Sequence, residues 1–257
     1  QEVKKLNITV PNTDESNVGL DLIVNAPNST VEIKDSQLNT INGTTAQNTL
    51  ILNGVTVNEV VVEQGNVVVE NESTVCVIEP GDTVNPDDIT IYVDDASTVT
   101  NVNDDFENVI QEEEEGDIKF ITSAAKLQQL ADKVNNDGAN FADQTITLLA
   151  DIDLNNVEWT PIGNSSNPFS GTFDGNNHNI SNLVVEGGSS SNQGLFGLTT
   201  NGEIKNLTIN NAKVSGYLNV GVVAGTPYTS KYTNIKVTGH VEVNGMSYVG
   251  GIGGKNA

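Results

Sequence analysis

At 257 residues the chain is long enough for one or two domains, with about three quarters of its unfolded surface available for burial at this size. Hydrophobic residues make up 36%, and 34 acidic side chains face 11 basic ones, all of them lysine, for a net charge of −23. So anionic a chain has little with which to displace phosphate counterions, which excludes nucleic acid as a partner and argues against anionic membrane surfaces and against polyanionic substrates not bridged by calcium.

Along residues 1–111 short apolar triplets recur. Val31-Glu32-Ile33, Leu50-Ile51-Leu52, Val67-Val68-Val69 and Ile89-Thr90-Ile91 begin 19, 17 and 22 positions apart. A second series interleaves with them: Leu38 and Ile41, Val60-Val61-Val62, Val75-Cys76-Val77, then Val99 to Val102. Two or more short strands per step of about 20 residues predict a β-solenoid, whose stacked pleated surface suits β-branched valine. Pro80, Gly81, Asn85 and Pro86 read as a longer loop thrown out of one step. Cys76 stands alone, so no disulfide framework is expected, and its side chain reads as a small buried apolar group.

Gln111 to Asp117 then carries four consecutive glutamates, whose mutual repulsion keeps them solvated. Residues 112–117 are therefore the expected linker between an N-terminal solenoid, 1–111, and a second domain, 118–257. Past the linker comes one amphipathic helix near 123–136. Ser123 suits the N-cap, Leu127, Leu130, Ala131 and Val134 form a stripe at i, i+3, i+4 and i+7, and Gly138 is a natural stop. Such a helix would cover the open first edge of a stack of strands.

From Trp159 onward short apolar stretches alternate with polar residues between Gly and Asn corners, the pattern of short strands joined by tight turns. Gly194-Leu195-Phe196-Gly197 is answered near Val220 and again near Val249, and Ile204 to Ile209 is answered from Asn234. Repetition at this period again predicts a solenoid. The chain stops at Ala257 just after a repeat signature, as a fragment of a longer solenoid would, and Gln1 opens on ordered-looking sequence, as in a mature or trimmed chain.

These residues carry a resemblance. Residues 118–257, with Gly194-Leu195-Phe196-Gly197, the D-I-D-L, W-T-P-I-G and I-K-N-L stretches and F-S-G-T-F-D-G-N-N-H-N-I, resemble the GLUG-repeat family. The resemblance implies a right-handed parallel β-helix of bacterial surface, adhesin-like proteins, with modules also found beside IgA-protease-like zinc peptidases. It implies location and architecture and no reaction.

The residues themselves offer little chemistry. With only His178 and His240, no zinc-ligand spacing exists, and no nucleophile elbow or phosphate-binding loop is present. His178 reads as a turn residue. A polysaccharide hydrolase would need two carboxylates facing across a sugar, for which Asp104, Asp105, Asp151, Asp153 and Asp174 are the candidates. Yet the apolar partners Ile152 and Leu154 should turn Asp151 and Asp153 to solvent, and arginine, the usual base of lyases with this fold, is absent. Calcium could be offered oxygen ligands at Asp174 to Asn177 and Val102 to Asp105, but neither stretch has a recognised calcium spacing, and Asx turns explain both. Asn-x-Ser/Thr occurs at Asn7, Asn28, Asn42, Asn71, Asn164, Asn179 and Asn206, as expected by chance in an asparagine-rich chain.

Trp159, Phe169, Phe173 and Phe196 read as core. Tyr228, Lys231 and Tyr232 read as a loop whose rings could stack on a sugar or protein partner. The expectation is an all-β, right-handed parallel β-helix with one capping helix. It would be non-catalytic and need no cofactor. It would sit outside or on the surface of a bacterium and bind or present to a host glycan or extracellular protein. A polysaccharide hydrolase or lyase is the first alternative, and an accessory module of a larger surface peptidase the second. No apolar run of about 18 residues exists to span a membrane.

Overall fold

In a computed structural model the described residues are 5–9, 21–25, 30–44, 49–63, 65–82, 84–112 and 117–255. The chain divides into two compact units, Gln1–Asp117 and Ile118–Ala257. Most of the expected linker, residues 113–116, lies outside the described residues, as does Asn28.

The described strands of the first unit are β1 (Lys5–Thr9), β2 (Asp21–Asn25), β3 (Thr30–Lys34), β4 (Gln37–Thr44), β5 (Thr49–Asn53), β6 (Thr56–Val62), β7 (Asn66–Glu70), β8 (Thr74–Pro80), β9 (Thr90–Val93), β10 (Thr98–Val102) and β11 (Asn108–Gln111). They alternate between two sheets, the odd-numbered strands in the order β1-β3-β5-β7-β9-β11 and the even-numbered in the order β2-β4-β6-β8-β10. The pairings within both sheets are parallel. Val31 stacks on Leu50 and Leu50 on Val67, the triplet series read from the sequence. β3, β5 and β7 are buried on both faces, which is why they read as near-continuous apolar runs.

Two expectations need correction. Val67 pairs with Ile91, not Ile89, a spacing of 24. A single 3-10 turn at Pro86–Asp88 sits in the loop after Pro80 and shifts the strand two residues onward, although Ile89 is still buried. Cys76 is exposed rather than buried, because strand alternation turns its neighbour Val75 inward.

The second unit contains β12 (Phe120–Ile121), helix α1 (Ala124–Asp137), β13 (Thr145–Leu148), β14 (Ile152–Asp153), β15 (Thr172–Asp174), β16 (Asn179–Glu186), β17 (Phe196–Thr200), β18 (Glu203–Ser215), β19 (Leu218–Gly221), β20 (Ala224–Tyr228), β21 (Lys231–Asn244) and β22 (Ser247–Gly250). One sheet runs β12-β13-β15-β18-β16-β14, with β21 added on β18, and the pairs β17–β20 and β19–β22 form two smaller sheets. All of these pairings are parallel. Among the described residues the protein is thus all-β with parallel sheets and one α-helix, and no helix is long and apolar enough to cross a membrane.

Helix α1 follows the sequence closely. The Ser123 hydroxyl accepts from the Lys126 amide, Gly138 ends the helix at φ +73°, and Leu127, Leu130, Ala131 and Val134 are fully buried in the core of the unit. Phe169, Phe173 and Phe196 pack ring to ring with centroids 5.3 and 5.5 Å apart, and the buried Trp159 indole donates to the Leu195 carbonyl at 3.0 Å. The glycines of the repeated motif are there for close approach. A Cβ on Gly194 would stand 2.5 Å from the Gly221 carbonyl, and one on Gly197 would strike the Gly163 carbonyl.

Asparagine makes the corners. Asn182, Asn211, Asn206 and Asn234 lie within strands yet have φ between +52° and +60°, so β16, β18 and β21 bend at these points. Stacked repeats place the corners in columns, Asn206 under Asn234 and Asn182 under Asn211, where the amides bond to one another.

Candidate functional site

One bend column forms the wall of an open groove of about 410 Å³ on the second unit. Register puts Val184, Lys213 and Glu242 side by side on β16, β18 and β21, with Leu183 and Ala212 behind them. Asn156, Asn182, Asn211 and His240 line the adjoining wall. The polar groups are linked. Asn182 donates to Asp153 at 2.8 Å, Asn211 to Asn182 at 3.4 Å, the His240 amide to Asn211 at 2.8 Å, and the His240 ring meets Glu242 at 2.9 Å.

Lys213 reaches Glu186 at 3.0 Å, and that hydrogen bond, the charge of Glu186 and the nearby Glu242 raise its ammonium pKa. The groove therefore holds the Lys213 ammonium, paired with Glu186 outside the lining, together with the Glu242 carboxylate, the His240 ring and three side-chain amides. This set donates to and accepts from hydroxyl groups and suits a polyhydroxylated ligand. The volume lies within the ordinary range for small-molecule sites.

The three residues expected to act together are separated by their orientation. Tyr228 closes β20 with its ring half exposed, and Lys231 is exposed and paired with Glu203 at 2.8 Å. Tyr232, expected in the same loop, instead begins the inward row of β21. It stacks over Ile204, and its hydroxyl bonds to Thr199 at 2.8 Å. Burial raises that phenol to about 12, against the smaller lowering effect of the Thr199 bond.

The candidate carboxylates are engaged locally. Asp151 accepts from the His178 ring at 3.2 Å and from the amide and side chain of Asn179 at 2.9 and 3.1 Å. Burial pushes its carboxyl up, but the bonds from His178 and Asn179 outweigh this and hold it at about 2. Asp153 caps Asn155 and receives Asn182. Asp174 closes an Asx turn with Asn176, receives Asn206 and pairs with Lys205 at 3.3 Å. In the other oxygen-rich stretch Asn103 closes an Asx turn on the Asp105 amide, and Asp104 and Asp105 are exposed. His178 sits in its turn, its amide bonded to the Gly175 carbonyl. Among the described residues no three His, Cys, Asp or Glu side chains gather as a metal site would need.

The groove escaped the sequence reading because its residues belong to three repeats. The signal was present in the period. Lys213 and Glu242 are 29 positions apart, and so are Val184 and Lys213, so the repeat register alone sets them abreast.

Halomucin of Haloquadratum walsbyi is similar to this chain, 38% identical over 146 residues that cover 52% of it. The chain spans about 2% of the length of that curated relative. No family model matches the chain, and no solved structure matches it.

Proposed function

We propose that the protein is a non-catalytic, adhesin-like right-handed parallel β-helix of the GLUG-repeat type that acts outside the cell or on its surface and binds glycan. Helix α1 caps the first edge of the second unit. The groove of Asn156, Asn182, Asn211, Lys213, His240 and Glu242 carries this reading, because it offers paired donors and acceptors on a rigid stacked scaffold. The two alternating parallel sheets of the first unit support the helical winding, and the similarity to a protein named halomucin supports an extracellular or surface location. A bacterial source and a host glycan as partner follow from the resemblance. Tyr228 and Lys231, exposed at the end of β20 and the start of β21, provide a second contact for an extended ligand.

Cleavage of polysaccharide is disfavoured by chemistry. Asp151 and Asp174 each engage both oxygens with neighbouring amides, a lysine or an imidazole, and Asp153 holds two amides through one oxygen, which favours a structural role for all three.

The test is binding of the intact chain to an array of neutral and acidic oligosaccharides and to immobilised extracellular proteins. Retention of oligosaccharide, weakened at least tenfold by Lys213→Ala or His240→Ala and unaccompanied by new reducing ends, supports the proposal. Binding that ignores both substitutions, or release of cleaved sugar, overturns it.

A further inference from the structure

The groove of the second unit is more selective than a plain hydroxyl-binding cleft. Its middle lies on β16 and β18, each of which has a parallel strand on both sides. Two columns of side chains run along the stack there. The outer column is Glu158, Val184, Lys213 and Glu242, set abreast by the Glu158–Val184 bridge and the pairings that follow it. The corner column is Asn156, Asn182, Asn211 and His240.

The corner column is a row of donors. Asn211 gives one amide hydrogen to Asn182, and Asn182 gives one to Asp153, which leaves the second hydrogen of each amide for the groove. At the last step β21 carries one residue more than β18. Asn210 faces Thr238 and Ala212 faces Val241, so Asn211 stands opposite both Gly239 and His240. A bulge of this kind re-aims a side chain. Gly239, at φ +76°, passes where a Cβ would strike the Asn211 amide, and the His240 ring is turned onto Glu242.

The outer column has one residue of a different kind. Val184 is aliphatic and half-buried between Glu158 and Lys213, with buried Leu183 and Ala212 behind it. A ligand made only of hydroxyl groups would give up water at that point with no hydrogen bond in return. A methyl group on the ligand would instead bury apolar surface against Val184. The group that carries the methyl must also accept from the Asn182 and Asn211 amides on the facing wall, as a carbonyl does.

Charge narrows the choice further. Four carboxylates, Glu158, Glu186, Glu242 and Asp153, stand in or beside the groove against the Lys213 ammonium, which Glu186 already holds at 3.0 Å. An anionic sugar is therefore repelled. A free amino sugar would set its ammonium against an aliphatic side chain, beside Lys213.

Resting on the glycan-binding reading of the groove, we propose that it selects N-acetylated hexosamine units. The acetamido methyl lies on Val184, its carbonyl accepts from Asn182 and Asn211, and hydroxyl groups of the adjoining ring meet Lys213, His240 and Glu242. Neighbouring strands are about 4.8 Å apart, so the two steps from Val184 to Glu242 span roughly 10 Å, room for two pyranose rings.

Isothermal titration calorimetry of the intact chain tests this with disaccharides that differ only in the substituent at the second carbon of each ring. The substituents are acetamido, amino and hydroxyl, in the gluco and galacto series. The acetamido compound should bind at least tenfold tighter than its hydroxyl counterpart in one series or both. Val184→Thr keeps the shape and suits a strand. It should erase that preference and leave the affinity for the hydroxyl compound within about twofold of wild type, with folding checked by circular dichroism. Equal affinity for acetamido and hydroxyl compounds, or tighter binding of the amino compound, overturns the selectivity while glycan binding stands, and needs the wild type alone. A preference that survives Val184→Thr overturns it too. Binding of none of the sugars overturns both readings.

Discussion

The Asn234 side chain donates to Oδ1 of Asn206 across 3.1 Å, and both residues stand in the left-handed region, at φ +52° and +53°. Asn206 in turn donates to Asp174 at 3.0 Å, so one polar column ties three repeats at a corner of the backbone.

This column makes Asn206 sensitive in two separable ways. Asn206→Ala should cost about 2–3 kcal/mol, from the left-handed backbone and the lost side-chain bonds together. Asn206→Gly keeps the backbone at ease and should cost only about 1 kcal/mol. Urea denaturation followed by Trp159 fluorescence distinguishes them, and equal losses would mean the corner geometry is unimportant.

Glycine in the repeated motif should be required for space. Gly197→Ala places a methyl against the Gly163 carbonyl and should lose about 2–3 kcal/mol. Gly251→Ala meets nothing within 4 Å and should stay within about 0.5 kcal/mol of wild type in the same denaturation experiment.

The Trp159 indole nitrogen is buried and donates to the Leu195 carbonyl, which also accepts the Ile162 amide. Trp159→Phe therefore leaves that carbonyl one partner and should cost about 1–2 kcal/mol. A thermal midpoint unchanged from wild type would show that the indole bond contributes nothing.

Asp151 links stability to acid pH. Its carboxyl is depressed in the folded state, so its contribution is complete above the ordinary value of 3.8 and disappears as pH falls toward about 2. With the side chain 38% exposed, solvent screening reduces the effect to roughly 1 kcal/mol. Asp151→Asn should flatten the stability profile between pH 4 and pH 2, which acid titration by circular dichroism would reveal. An unchanged profile would assign the acid response elsewhere.

Much of this architecture is legible in the residues, because stacking makes each repeat an imprint of the last. Helix α1 shows its cap, stripe and stop in one stretch, and the large aromatics announce a core. What is harder to read depends on register. Ile89 and Ile91 are both apolar and both buried, so the pattern alone does not say which one stacks on Val67. Tyr232 follows Thr-Ser-Lys and resembles a loop residue, and only its alignment over Ile204 shows that the ring turns inward. Cys76 lies between two valines of unequal burial, and strand alternation decides its side. The groove is the extreme case, because no local window contains its residues.

The excursion between Pro80 and Pro86 has a practical consequence. From the β2–β4 and β3–β5 pairs to β6–β8 the strands repeat at 17 to 19 positions and those across it at 24, yet both ladders resume their pairing beyond it. Foreign sequence inserted in that bulging segment would be carried outside the hydrogen-bonded framework, making it a natural port for an epitope, a fluorophore or a second binding module.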